Sequence, residues 1–284
     1  MPQLIATGPR SAAGLVSRLR LIAHVCRPAT SVFAARLILA VLLATGRAAQ
    51  ADSLVLALPF LLLTMAGFAI NDIYDRWKDR NSPDYKPIAA GVLGVRDAWV
   101  AVIALVASAV GIGLRVASWE SNQVLLLAVL GIAIYSPFSS RWPELKNLAT
   151  AVLCATPLLF VARAEGLAVP PVAYALLGVL VFGRELYLDT LDFPCDSANR
   201  VDTLPVLLGV RTASAIAWAV LLLDAVVGLF VITGTLGRVC TLLTLCILLA
   251  GVLLRRRSQH LAVVLTRLAL GTGATAIATL ATLH

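Results

Sequence analysis

Apolar residues run in long blocks along this chain, separated by short polar or Gly/Pro-bearing segments. A membrane-crossing helix needs about 20 apolar residues. The blocks give nine such segments, at about 29–46, 51–71, 95–115, 121–138, 147–163, 169–189, 212–233, 236–254 and 260–282. None has the polar face a soluble amphipathic helix would need. Two separators, about 73–95 and 190–211, are longer than the rest. The pattern predicts an all-α integral membrane protein, about nine transmembrane helices around a central apolar cavity. Residues 1–28 read as a cytoplasmic lead, either a short interfacial helix or a disordered tail, and 29–284 as a single polytopic domain.

Composition agrees. The 284 residues are 60% hydrophobic and 13% charged, with a mean hydropathy of +0.92, whereas soluble domains carry about 25% charged residues. The net charge of +8 would point to nucleic acid in a soluble protein. Here placement explains it. With the N-terminus inside, 17 of the 23 Lys and Arg fall on inner segments and only Arg47, Arg115, Arg163 and Arg238 on outer ones. Arg36 and Arg267 lie within spans. This is the positive-inside bias, and it places both long separators in the cytoplasm, at the inner membrane if the cell is bacterial. Nucleic acid is excluded as a partner; the lipid bilayer is the expected one. The five cysteines form no Cys-x-x-Cys pair and the three histidines are scattered, so neither a disulfide framework nor a histidine metal site is expected. No apolar core precedes Arg10, Arg18 and Arg20, so no cleavable signal is evident.

The acids are clustered. Ten of 15 sit in or beside the two long separators, where acids do little for topology. After the run Leu54 to Ile70 comes Asn71-Asp72-Ile73-Tyr74-Asp75-Arg76-Trp77-Lys78-Asp79. Continued as a helix, it sets Asn71, Asp75 and Asp79 on one face. After the run Val172 to Phe182, Asp189, Asp192 and Asp196 repeat the arrangement at i, i+3 and i+7, with a kink expected at Pro194. Carboxylates stacked one turn apart repel, and a helix C-terminus disfavours them further. A divalent cation removes both objections. Mg²⁺ takes hard oxygen ligands, binds one or two carboxylates, and completes its shell with water and substrate phosphate.

The pattern Asn-x-x-x-Asp-x-x-x-Asp, then Pro83-Asp84-Tyr85-Lys86-Pro87-Ile88, then Asp192-x-x-x-Asp196 and Thr203-Leu-Pro-Val-Leu-Leu-Gly209, resembles the UbiA superfamily of intramembrane prenyltransferases. The likeness extends from about Arg27-Pro28 to near the C-terminus. It implies a Mg²⁺-dependent prenyltransferase, with Mn²⁺ able to substitute, that ionises a prenyl diphosphate donor and joins the allylic carbon to a small-molecule acceptor, commonly aromatic. Both acidic motifs would face one cavity. Asn71, Asp75 and Asp79 would hold one metal and Asp192 and Asp196, with or without Asp189, another. Lys86 is the expected diphosphate ligand, and Arg27 matches the family's Arg-Pro. Lys78 and Arg80 are either further phosphate ligands or ordinary loop charges.

The resemblance has a gap. The family usually has a Lys one turn after Tyr135, where this chain has serine. Either Arg141 or Lys146 takes its place or the acceptor chemistry differs. A cyclase that quenches the cation within its own chain is therefore a rival reading, and a transporter is a rival of another class. Two charges lie within spans. Arg36 is either functional or snorkels to the interface. Asp224 either pairs with Arg267 as structural glue or faces the cavity and touches the acceptor. Trp77, Trp99, Trp119, Trp142 and Trp218 mostly fall near span ends, as an interfacial belt does.

Overall fold

The computed structural model describes residues 12–47, 54–82 and 84–282. The start of the expected lead, the first residues of the second span and Pro83 lie outside the described residues. Every long apolar block has folded as a helix. We number them α1 (Ala12–Cys26), α2 (Pro28–Ala44), α3 (Leu58–Tyr74), α4 (Val95–Val116), α5 (Trp119–Arg141), α6 (Lys146–Glu165), α7 (Pro171–Ala198), the short α8 (Leu204–Leu208), α9 (Val210–Val231), α10 (Thr235–Leu254) and α11 (Gln259–Ala278). Seven of the described helices are long and apolar enough to cross a bilayer. The bent pair Val16–Cys26 and Pro28–Ala44 makes an eighth if read as one broken span. Helix α3, at 17 residues, is slightly shorter, and with it the nine expected segments are accounted for.

The helices follow one another around a ring. Helix α2 packs on α3, α5 on α6, α6 on α7, α7 on α9, α9 on α10 and α10 on α11, and α11 returns to α2. Their inward side chains merge into one core that includes Leu37, Leu42, Phe60, Leu125, Phe160, Leu177 and Leu221. Helices in lipid gain no hydrophobic drive from meeting each other, so small residues at the contacts decide how close they come. At Gly183 of α7, an added Cβ would lie 2.9 Å from the Leu221 side chain of α9. At Gly251 of α10, it would lie 2.5 Å from the Trp218 ring.

Local sequence explains the breaks. Pro28 has no N–H, so the hydrogen-bond ladder of α1 cannot pass into α2. The chain turns there by 53°. Arg27 takes the bend in a left-handed conformation, φ 46° and ψ 56°, which is uncommon for a residue other than glycine. Helix α3 ends at Tyr74 and tightens into two 3-10 turns, Asp75–Trp77 and Asp79–Asn81. The α-helical stripe expected through Asn71, Asp75 and Asp79 is therefore interrupted. Acids disfavour extension of a helix C-terminus, and 3-10 turns are a common way for a helix to finish. Helix α7, in contrast, runs through Pro194 to Ala198 without a break.

Two other expectations are corrected. Asp224 does not pair with Arg267. Its carboxylate is buried among α9, α10 and α11 beside a cavity of about 10 Å³ lined by Thr241 and Thr244, and its Oδ1 has no hydrogen-bond partner. Arg267 lies exposed on another face of α11. Trp218 is not interfacial. It is buried, packed edge-on against Tyr187 with ring centroids 5.0 Å apart. The other four tryptophans are exposed, as an interfacial belt requires.

Candidate active site

The ends of α3 and α7 and the starts of α2 and α6 meet at one end of the bundle, and they bring the acidic stretches together. The direct link is Lys78, from the turn after α3, whose Nζ lies 2.9 Å from Asp196 Oδ1 on α7. Cys195 supports the same junction, its thiol 3.9 Å from the Lys78 carbonyl. Asp196 is completely buried. Thr203 donates its hydroxyl to Asp196 Oδ2 at 3.2 Å, and the Lys146 ammonium stands 4.0 Å from the same oxygen.

Lys146, the first residue of α6, also lies 2.9 Å from Asp189 Oδ1. The neighbouring Asn147 donates its Nδ2 to Asp189 Oδ2 at 2.8 Å. Both oxygens of Asp189 are thus committed to α6. Asp192, one turn along on the same side of α7, is exposed and within electrostatic reach of Lys146, Lys78 and Lys86. Tyr135 of α5 receives a hydrogen bond from Thr150 at 3.0 Å beside Lys146.

On the α3 side, Asn71 donates its Nδ2 to Asp75 Oδ2 at 3.1 Å. The i, i+4 contact therefore survives although the helix ends between the two residues. Asp79 faces Lys86 at 3.5 Å. Lys86 is held in place by its loop. Pro87 and Ile88 are buried and Ile88 packs in a core with Val25 and Ile73, while His24 of α1 meets the Tyr85 carbonyl at 3.2 Å.

Asp72 is the residue the sequence reading left without a role. It is nearly fully buried, 2.6 Å from Arg27 Nη2 and 3.5 Å from Lys86 Nζ. Asp72 and Asp79 both meet Lys86, each at 3.5 Å, although helix α3 ends between them, so no helical spacing signalled the role of Asp72. The left-handed Arg27 is what carries that guanidinium across to α3. Asn71 and the acids Asp75, Asp79, Asp189, Asp192 and Asp196 are thus gathered with Arg27, Lys78, Lys86 and Lys146, while Arg80 and Arg141 are exposed and make no ion pair among the described residues.

Electrostatically this is a field of alternating charge. Burial pushes the Asp75 and Asp79 carboxyls above the ordinary range, opposed chiefly by Lys78 at Asp75 and by Lys86 at Asp79. Burial works against the Lys78 ammonium, but the charges of Asp196 and Asp75 outweigh it and hold its pKa up. Among the described residues, no three His, Cys, Asp or Glu side chains converge as a ready-made metal cage. The donor set is nonetheless hard oxygen, carboxylate and amide, with lysines alongside. That suits Mg²⁺, which is usually held by one or two carboxylates while phosphate and water fill the remaining positions. A Zn²⁺ site would want His or Cys ligands, whereas the acids gathered here are paired with Lys, Arg and Asn side chains.

The model of the UbiA prenyltransferase family matches residues 32–278. The digeranylgeranylglyceryl phosphate synthase of Methanoculleus marisnigri is 32% identical over 204 residues, 69% of this chain and 71% of the relative. The same-named protein of Methanothrix thermoacetophila is 31% identical over 222 residues, 74% of this chain and 80% of its own. Among solved structures, a UbiA homolog from Archaeoglobus fulgidus bound to GPP and Mg²⁺ superposes with a TM-score of 0.72 at 18% identity, covering 90% of this chain and 99% of that one. With nearly the whole bundle matched and the acidic stretches inside the match, the chain belongs to the UbiA prenyltransferase family and is an integral membrane prenyltransferase.

Proposed function

We propose that this enzyme transfers an isoprenoid group from its diphosphate to the hydroxyl of a prenylated glyceryl phosphate, forming an ether lipid. The observation that carries the donor half of the reading is Lys78 against Asp196, which brings the two acidic stretches together and supports their acting on one diphosphate. The relatives at 30% identity or above are named for a glyceryl phosphate product. That replaces the aromatic acceptor expected from the wider superfamily. It also fits the departure after Tyr135, where the residue pattern common in the superfamily is missing.

Asn71, Asp75 and Asp79 on one side and Asp192 and Asp196 on the other are the residues that would hold Mg²⁺. When bound, the metal neutralises diphosphate charge and acts as a Lewis acid on the departing oxygen. The structure homologous in fold, bound to GPP and Mg²⁺, supports that donor half; substitution by Mn²⁺ follows from the all-oxygen donor set. Arg27, Lys78, Lys86 and Lys146 supply charge-assisted hydrogen bonds to phosphate oxygens. Asp189, held by Lys146 and Asn147, positions that lysine. In the transfer, the allylic carbon–oxygen bond to diphosphate breaks, a bond from carbon to the acceptor oxygen forms, and the hydroxyl proton leaves to a base. The apolar walls of residues 29–284, read as one prenyltransferase domain, keep water from an allylic cation. Both substrates would enter at the cytoplasmic face, the side the Lys and Arg bias assigns to the acids.

The test is direct. Purified protein with Mg²⁺ is offered a panel of prenyl diphosphates with either a prenylated glyceryl phosphate or an aromatic acid, and products are identified by mass spectrometry. The expected result is a prenyl ether of the glyceryl phosphate with equimolar diphosphate. Transfer to the aromatic ring alone would overturn the acceptor assignment. A cyclised product from the diphosphate alone would favour the cyclase reading.

A further inference from the structure

A second basic site lies behind α7. A cavity of about 600 Å³ opens between α7, the start of α9 and the segment joining α10 to α11. Arg211, Arg255 and Arg256 line it, with Ser214 and Gln259, and no acid contributes to its walls. None of the three arginines pairs with a carboxylate among the described residues. Helix α7 presents Tyr187, Thr190 and Leu191 to the cavity. At about 100° per residue, these occupy the side opposite Asp189, Asp192 and Asp196. The cavity is therefore separated from the catalytic acids by the thickness of a helix, and an acceptor held there would not reach them.

One arginine is pre-organised. Arg255 is half-buried, its Nη1 lies 3.4 Å from Ser214 Oγ, and its guanidinium sits 5.9 Å above the buried Trp218 ring. A planar guanidinium fixed by stacking offers its remaining N–H groups as a fork suited to phosphate. Helix α9 begins at Val210 and α10 ends at Leu254, so the three arginines stand at the ends of spans, on the same edge of the bundle as the acidic stretches. Leu191 and Val210 give the cavity an apolar side. Basic pockets between transmembrane helices at this edge hold lipid headgroups.

We infer that this cavity binds the phosphate headgroup of an anionic membrane phospholipid, clamped by Arg211, Arg255 and Arg256. The site is distinct from the substrate site and does not depend on the identity of the acceptor. Its occupant braces the side of α7 opposite the catalytic acids.

The experiment is native mass spectrometry of the delipidated full-length protein, with melting temperature measured alongside, after adding phosphatidylglycerol, phosphatidylcholine or inorganic phosphate. Phosphatidylglycerol should be retained and raise the melting temperature; phosphatidylcholine should do neither, and millimolar inorganic phosphate should not displace the lipid. Arg255→Gln with Arg256→Gln should weaken phosphatidylglycerol binding about tenfold or more, the loss expected for a charge-assisted hydrogen bond. Arg257→Gln, which removes the same charge from the same loop outside the cavity lining, should leave binding unchanged. If the double variant fails to fold, Arg256→Gln alone carries the comparison, and Arg255→Lys should retain part of the affinity. Asp192→Asn should bind the lipid as the wild type does, which keeps this result separate from the fate of the catalytic reading. Equal retention of phosphatidylcholine, displacement by inorganic phosphate, or an equal loss in Arg257→Gln would each overturn the inference.

Discussion

Asp75 and Asp192 are where charge and stability part company. Burial raises the Asp75 carboxyl above its ordinary value, so the folded protein binds that proton more tightly than the unfolded chain does. Its ionised form therefore subtracts stability above the raised pKa, and the penalty fades as pH falls toward the ordinary carboxylate range. Asp75→Asn, which can still accept from Asn71, should keep or raise the melting temperature at pH 7–8 while turnover falls by orders of magnitude, because Mg²⁺ stabilisation of the departing diphosphate is worth several kcal/mol. A melting curve beside a turnover assay, repeated at lower pH where the stability difference should close, checks the sign. Lys78 is the opposite case. It neutralises a completely buried Asp196, so Lys78→Met should cost stability, near the lower end of the ~3–5 kcal/mol seen when one partner of a buried pair is removed, since Lys146 remains 4.0 Å away. Adding Asp196→Asn should recover part of that loss in a double-mutant cycle of melting temperatures; no recovery would mean that the pair is not coupled. At this scale the sequence was legible where spacing carries information. Asn71 to Asp75 and Asp189 to Asp192 to Asp196 are one-turn relations, and both appear in the fold. Asp72 was not legible, because its partner Arg27 is 45 positions away and arrives only through a left-handed bend that no pattern of apolar residues encodes.

At the scale of elements, apolar block length placed most segment ends within a few residues of the helices found, but the second segment was expected from 51 and α3 begins at Leu58, and the sixth was expected to end at 189 and α7 runs on to Ala198. Helix ends were less predictable. The finish of α3 in 3-10 turns depends on the competition between a helix C-terminus and its acids, and the passage of α7 through Pro194 depends on packing that holds the helix beyond a missing N–H. The pairing of Asp224 with Arg267 failed because hydropathy places a charge within a span and says nothing of the face it takes. Close packing at glycine gives a prediction here. In an exposed helix, Gly→Ala stabilises by about 1 kcal/mol. Gly251→Ala should do the reverse and cost about 1–3 kcal/mol, because the new methyl would meet the Trp218 ring at 2.5 Å, and that ring is itself locked against Tyr187. Comparing melting temperatures with Gly46→Ala would not serve, since Gly46 has a positive φ; Gly111→Ala, with open space around it, is the proper control and should be neutral or better.

For the whole molecule, the bundle is a device for bringing the ends of α2, α3, α6 and α7 to one edge. The acids of α3 and α7 are offset by cations from other segments: Lys78 and Lys86 from the stretch after α3, Lys146 from α6 and Arg27 from the α1–α2 bend, with Lys78 joining the two sides. That edge should face the cytoplasm. Single cysteines at Ser82 and Ser197 should resist an impermeant thiol reagent in intact cells and react in inverted vesicles, and the reverse pattern would refute the orientation. Chelation should abolish turnover, and Mg²⁺ or Mn²⁺ should restore it.

The central claim is that the two acidic stretches act on one diphosphate. Diphosphate release measured for wild type, Asp75→Asn, Asp192→Asn and the double variant, each with its melting temperature, tests it most directly. The account predicts folded proteins, each single variant slowed by orders of magnitude, and a double variant scarcely slower than the worse single one, because both disable the same ionisation step. Near-normal release from either folded single variant would contradict it, as would losses that multiply in full.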